Sequence, residues 1–434
     1  MPERATIFQT TQIGVEATPG TAVAALKKLQ GISIEPSIKA DVKTFRPRGT
    51  KFTGLAALGK EWVEAKIEGL AAYNDLTWLF ASLMSTPTPA QQGVTTAYKH
   101  TFEVKNNAAD TVSTLSVEQG YTAGPGGRAH KFDYGLVNEL SLEFSRDEIG
   151  VSGSMIGRAL TDNAQMSTNE QQTLSETGTV SGGTFTMSFG GQTTAAINYD
   201  ANAAAIQAAL EALSSIGAGN VVVTGGPVST TPAVIEFRQE LGQADQGAIT
   251  VASDNLTGGG TYGIAETTKG AAPTAIVMMP ILPTEVSVYM ADTYAGLPGS
   301  ALTRVLKGIW KLGSRFGQLW ALNAAEASWA AHIEAEPDMT LTLLMEADAE
   351  GMAVLPVLRS GASKFIRIEA VSEVAAGTGY PYKLTLDMCG KVSEVSDFSD
   401  EDGVYAIEWT FKGAYDPTWT KAAQVELVNS VSAL

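Results

Sequence analysis

Between Glu61 and Met84 the spacing of polar and apolar residues changes once. Trp62, Glu64, Lys66 and Glu68 alternate with Val63, Ala65, Ile67 and Gly69. That period of two predicts a strand with one wet and one dry face. Leu76, Leu79, Phe80 and Leu83 then take the i, i+3, i+4, i+7 spacing of a helix with one apolar stripe, and Asn74 stands where an N-cap is needed. A similar passage returns at residues 338–358. There Met339, Leu341 and Leu343 alternate with Thr340 and Thr342, and Met352, Leu355 and Leu358 form a short stripe. Gly308-Ile309-Trp310-Lys311-Leu312 likewise echoes Gly31-Ile32-Ser33-Ile34, an offset near 277 residues. The pattern predicts one unit present twice.

Around these units the chain reads as strands and turns. Ile32, Ile34 and Ile38 mark a strand whose Pro36 implies an edge or a bulge. Residues 44–59 carry Arg46, Pro47, Arg48 and Lys51 with few core candidates, which predicts a long projecting loop, and residues 321–331 parallel it. Gly124-Pro125-Gly126-Gly127 predicts a flexible turn. Leu136, Leu140, Leu142 and Phe144 oppose Glu139, Ser141 and Glu143 along another strand. Tyr405, Ile407, Trp409 and Phe411 oppose Ala406, Glu408, Thr410 and Lys412 along a third. Residues 163–179 are polar and read as a linker. Between 177 and 272 the composition shifts: Phe185, Met187 and Phe189 alternate with Thr184, Thr186 and Ser188, and Asp200 stands before a helix bearing Ile206, Leu210 and Leu213. The expected fold is mainly β (α+β), in three parts. Residues 1–176 and 273–434 form two tandem β-sandwich or barrel units, each with a flanking helix. Residues 177–272 form a small β-sandwich-like module containing one helix.

Charge narrows the function. The 434 residues hold 46 acids and 29 bases, a net −17, which discourages binding to phosphate backbones. Residues 177–272 contribute −5 (two bases, seven acids), leaving −12 for the flanking units. Cys389 is alone, so no intramolecular disulfide forms, and its apolar strand favours a buried inert thiol. No apolar run approaches the roughly 20 residues of a membrane span, which points to a protein made in the cytoplasm without membrane insertion.

No constellation in the sequence carries catalysis. His100, His130 and His332 stand at no metal-ligand spacing from one another or from Cys389. The Gly258–Gly263 stretch fits dinucleotide-loop spacing without a strand-loop-helix context and reads as a turn. Glu394, Asp397, Asp400, Glu401 and Asp402 lack the calcium-loop order and read as a solvated hairpin tip before Gly403. Glu64 with Glu68, and Glu139 with Glu143, lie ~13 Å apart on a strand, too far for a glycosidase pair. The expectation is no enzyme, no metal and no cofactor.

Thr11-Gln12-Ile13-Gly14-Val15-Glu16 followed by Thr18-Pro19-Gly20-Thr21 resembles the N-terminal opening of tail tube (major tail) proteins of long-tailed, non-contractile bacteriophages. The stretch from Gly183-Thr184-Phe185 to Val223-Thr224-Gly225-Gly226 is similar to a small β-rich domain carried by phage virion proteins. The resemblance implies stacked rings built by self-association, which remove exposed sheet edges. With six tube units per ring as the family's pattern, a two-unit chain implies a trimer of pseudo-sixfold symmetry. It implies a lumen through which DNA passes without binding, with Glu64, Glu68, Glu139, Glu143 and Glu408 as candidate lumen-facing acids. Arg46, Arg48 and Lys51 become a candidate inter-subunit arm suited to acidic neighbours. Tape measure, terminator and distal tail proteins become the expected partners, the virion the expected location, and the inserted module a candidate for contact with the host surface. The alternatives are another virion part (tail terminator, capsid decoration or adhesin) and, more remotely, a polysaccharide-degrading enzyme.

Overall fold

The computed structural model describes residues 9–86, 88–121, 129–162, 169–323 and 326–434, with Tyr121 and Asp254 described in backbone alone. The glycine-rich turn expected at 124–127 and the first part of the expected linker, 163–168, lie outside the described residues. Strands dominate, arranged in several sheets, and none closes on itself among the described residues.

The N-terminal flank contains β1 (Gln9–Val15), β2 (Ile32–Phe45), β3 (Leu55–Leu70), α1 (Asp75–Leu83), β4 (Leu115–Tyr121), β5 (Ala129–Phe144) and β6 (Ile149–Gly157). Antiparallel ladders join β2 to β3, β3 to β6 and β6 to β5. The insert holds β7 (Gln171–Thr177), β8 (Gly182–Phe189), α2 (Ala203–Glu211), β9 (Val221–Gly225), β10 (Ala233–Phe237), β11 (Thr250–Thr257) and β12 (Thr261–Thr268). The C-terminal flank contains β13 (Val286–Ala291), β14 (Val305–Gly313), β15 (Phe316–Leu319), β16 (Ala331–Glu334) and β17 (Asp338–Glu346). It continues with α3 (Ala349–Met352), α4 (Leu355–Ser360), β18 (Ser363–Gly377), β19 (Tyr380–Val395), β20 (Ser399–Glu401), β21 (Val404–Gly413) and β22 (Ala423–Asn429).

Both flanks use one strand order. In the first it is β2-β3-β6-β5; in the second it is β14-β17-β21-β19. In both, the last strand of that order is 16 residues long and changes partners along its length. The first half of β5 pairs with β4, which pairs with β1, while β19 from Tyr380 to Lys391 pairs with β18, which pairs with β13. The two orders meet directly, because β5 also pairs with β14. Eight strands therefore run as one continuous antiparallel array.

Under this array lies one core shared by both flanks, in which Phe80 of α1 meets Phe102 and Trp310 at ring-centroid distances of 5.7 and 5.9 Å. Each large side chain buried there contributes about 1.5–3 kcal/mol. The insert has a separate core of Phe185, Met187, Ile206, Leu210, Ile235 and Phe237. Across the flanks, Arg315 is buried and donates from Nε to Leu83 O at the end of α1 (3.0 Å) and from a terminal nitrogen to Asp110 Oδ2 (2.6 Å).

Several expectations need correction. All nine residues of α1 are buried, not one stripe. Asn74 does not cap it: its Nδ2 donates to Val277 O at 2.7 Å, and no side-chain cap bond forms. In the insert the cap is Asn202, whose Oδ1 accepts from Ala205 N at 3.0 Å, and not Asp200. The second helix is split into α3 and α4, with Pro356 in the first turn of α4. The polar stretch read as linker contains β7, which pairs with both β10 and β12. The loop expected at 44–59 is a β-hairpin: the β2–β3 ladder runs out to Phe45↔Leu55. Finally, the echo of Gly31-Ile32 in Gly308-Ile309 is out of phase by an odd number of residues. Ile32 is buried, whereas Ile309 faces the wet side between buried Gly308 and Trp310, and a one-residue slip exchanges faces. Pro36 does stand on an edge, since β2 pairs with β3 alone among the described residues.

Candidate functional site

The alternation in each strand fixes which side chains share the wet face of the eight-strand array. One cross-strand row runs Ser33, Glu68, Ser152, Ser141, Lys311, Thr340, Lys412, Lys391. The next rows on either side carry Glu35, Lys66, Ser154 and Glu139, then Glu143, Ile309, Thr342, Thr410 and Glu394. Glu64 stands opposite Ile156, and Glu408 opposite Leu344. The structure thus brings Glu64, Glu68, Glu139, Glu143 and Glu408 onto a single face although they come from three strands.

The face is not purely acidic. Lys39 lies 3.6 Å from Glu64, Lys311 lies 3.0 Å from Glu139, Lys307 lies 2.5 Å from Glu143, and Lys66 pairs with Glu68. The last two crossings, Lys307–Glu143 and Lys311–Glu139, span the β5–β14 joint and so tie the two flanks at their polar surface. The hydrogen bond to Glu68 raises the Lys66 pKa, which holds the ammonium charged. Lys66 lies two residues from both Glu64 and Glu68 and shares their face, as the alternation along the strand indicates, whereas Lys39, Lys307 and Lys311 reach the acids only through strand pairing.

Two edges of the array are open. At one end, Leu70 N donates to Gly31 O at 3.0 Å, which sets the alternation along β2. Ile32, Ile34 and Ile38 therefore turn their backbone groups away from β3. Of these, Ile34 N–H reaches the Thr11 hydroxyl at 3.4 Å. A groove of about 710 Å³ follows this edge, lined by Thr10, Thr11, Gly31, Ile32, Ser33 and Glu35 among others. At the other end, β19 leaves β18 at Lys391 and continues through β20, with β21 on one side and no ladder on the other among the described residues.

The hairpin arm extends the dry face beyond the core. Ile38, Val42 and Leu58 on that face are 53, 52 and 50% exposed, the Phe45–Leu55 pair on the opposite face of the hairpin is 55 and 62% exposed, and Phe52 in the tip is 82% exposed. Arg46, Arg48 and Lys51 sit in the tip, where Gly49 takes φ +83° and Gly54 N donates to Phe45 O at 3.1 Å. An exposed apolar ribbon of this kind marks an interaction surface. In the stretch expected to parallel it, Ala321, Leu322 and Asn323 are exposed, residues 324–325 lie outside the described residues, and Trp329 is buried with its Nε1 donating to Gly157 O at 2.9 Å.

Chemistry-bearing residues lie elsewhere and apart. His100 is buried with its Nε2 2.9 Å from Val431 O, and burial lowers its pKa. His332 packs on Tyr134 and Phe316, and burial lowers its pKa too. Cys389 is buried and burial raises its thiol pKa, which disfavours the reactive thiolate. No group of three or more metal-ligating side chains occurs among the described residues. Gly258 and Gly259 form a turn between β11 and β12, and Asp402-Gly403 turns β20 into β21, both with positive φ. No helix of the described residues is long and apolar enough to cross a membrane. Comparison with known proteins adds no family: no family model matches the chain, and no curated protein matches it.

Proposed function

We propose that this chain is a structural subunit of a phage tail tube, and that its assembly follows the joint already present inside it. The observation that carries the reading is the β5–β14 ladder, through which one four-strand order is joined edge to edge with its repeat. The outer edges of the same array remain open. A module joined head to tail once, with its head and tail still free, continues until the rotation closes a ring. Each flank is read as one tube unit, a β-sandwich with its helix, so three chains supply six units.

In that ring the wet face lines the lumen. Its acids, among them Glu64, Glu68, Glu139, Glu143 and Glu408, repel phosphate, and their lysine partners keep the face from becoming one uncompensated charge field. DNA passes without being held. The arm docks on a further copy, burying Ile38, Val42, Phe52 and Leu58 and presenting Arg46, Arg48 and Lys51 to an acidic chain. Tape measure, terminator and distal tail proteins bound the stack, and the insert faces outward toward the host surface.

Electron microscopy of the purified protein tests this. Hollow stacked tubes are expected. A protein that stays monomeric at high concentration contradicts the tube and points to a capsid decoration or adhesin, while a single ring that never stacks points to a terminator.

A further inference from the structure

The internal joint also fixes, residue by residue, how one chain meets the next. We infer that residues 395–399 of one copy pair antiparallel with residues 34–38 of a second copy, placing Glu394 opposite Lys39. This rests on the tube reading above.

The register comes from two landmarks. In β5 the ladder to β6 shifts between Val137 and Glu139, so that Glu139 stands opposite Ser154. In β19 the ladder to β21 shifts between Val392 and Glu394, so that Glu394 stands opposite Thr410. Bulges of this kind mark equivalent places in repeated strands. Superposing them puts Glu139 on Glu394 and Leu140 on Val395. Continuing across the sheet, Leu140 faces Gly153, which faces Ile67, which faces Ile34. In the repeat, Val395 faces Trp409, which faces Leu343, which faces Gly308. Ile34 is therefore the counterpart of Gly308, Ile38 of Leu312 and Lys39 of Gly313. The internal joint pairs Leu140 with Leu312 and Phe144 with Gly308. Transferred to two copies, it pairs Val395 with Ile38 and Ser399 with Ile34.

Three observations agree with this register. First, the faces match: Val395 and Ile38 both belong to the core side, while Glu394 and Lys39 both belong to the polar side. An error of one residue would have crossed them. Second, Leu140 and Leu312 are fully buried at the internal joint, whereas Ile38, the counterpart of Leu312 at the open edge, is 53% exposed. The missing neighbour accounts for the difference. Third, Pro36, which has no N–H to offer, falls opposite Asp397, where the receiving chain leaves strand geometry between β19 and β20. Lys39, now 3.6 Å from Glu64 within its own chain, gains Glu394 as a second acidic neighbour.

Paired cysteines read the register directly. Ser37→Cys with Ser396→Cys places two thiols directly opposite each other across the predicted joint, with Cα atoms ~4.5 Å apart. Ser33→Cys with Ser396→Cys offsets them by four residues, or ~13 Å. Both variants are assembled, imaged, oxidised and run on a denaturing gel without reductant, beside variants carrying only one of the introduced cysteines in addition to the buried Cys389. The inference predicts covalent dimers and trimers from the first variant and monomers from the others. Rings or tubes that fail to cross-link in the first variant, or that cross-link in the second, overturn the register and leave the tube standing. Absence of any ring or tube in these variants and in the unmodified protein overturns both.

Discussion

Asp75 occupies the first turn of α1 and is fully buried. Its Oδ2 accepts from Gly31 N at 2.7 Å and from Gln30 N at 3.3 Å, so it anchors the start of β2, the strand that offers the open edge. Burial raises its pKa, opposed by those two backbone bonds. A raised carboxyl pKa favours the fold below the unfolded value of about 3.9 and turns against it as pH rises through the folded value. The ionised form therefore carries a desolvation cost at neutral pH. Asp75→Asn keeps one acceptor oxygen and sheds the charge, so its thermal stability at pH 7 should equal or exceed the unmodified protein. Asp75→Ala leaves the Gly31 and Gln30 amides unpaired and should lose about 1–3 kcal/mol. Equal losses in both would contradict this account of the anchor. His100 gives the opposite sign. Burial lowers its pKa, so the fold keeps the ring neutral and stability falls as pH drops below about 6.5. His332 shifts in the same direction. In denaturant titrations, His100→Gln should flatten, without abolishing, the decline between about pH 6.5 and 5. An unchanged slope would remove His100 from the pH response.

At the scale of elements, the proposed docking of the arm predicts that folding and assembly can be separated. Phe52→Ser, Leu55→Thr and Leu58→Thr together replace side chains that are half exposed or more, and such surface changes usually cost within about 0.5 kcal/mol each. The variant is expected to keep a near-normal melting temperature and to lose tube formation in sedimentation. Normal tubes would show that the ribbon is not a contact. The arm also shows where the sequence stopped being legible. Residues 44–59 offered few core candidates and so suggested a loop, yet ladder hydrogen bonds extend β2 and β3 without any core beneath them. The alternation of Glu64, Lys66 and Glu68 correctly indicated a wet strand face, because period two is a local property. The helix stripe failed for the converse reason. Thr77 Oγ1 accepts from Asn429 Nδ2 at 2.6 Å, and Ser82 Oγ accepts from Val137 N at 3.0 Å. Partners 55 to 352 positions away satisfy those polar residues in the core, and no local period encodes them. The five acids could be placed on wet strand faces from the sequence because each lies on an alternating strand. Their lysine neighbours across β5–β14 required the fold.

For the whole molecule, the question is what makes two repeats one body. Besides the β5–β14 ladder and the common core, Arg315 plugs the C-terminal end of α1, where a cation complements the helix dipole. Its partner Asp110 is itself buried, and also accepts from Ser85 Oγ at 2.7 Å and Lys105 N at 2.9 Å. Arg315→Met strands that carboxylate and should cost about 3–5 kcal/mol in chemical denaturation. Adding Asp110→Leu should recover part of it. A single variant as stable as the unmodified protein would mean that the flanks do not depend on this pair. In the proposed assembly the joint matters twice, once inside the chain and again between chains.

The most direct measurement is therefore the symmetry of the assembled ring, obtained by averaging cryo-electron micrographs of tubes and counting chains. The account predicts three chains per ring, each contributing eight adjacent strands, with alternating joints inside and between chains that look nearly alike. Six chains per ring, or a ring in which β5 and β14 are not neighbours, would contradict it.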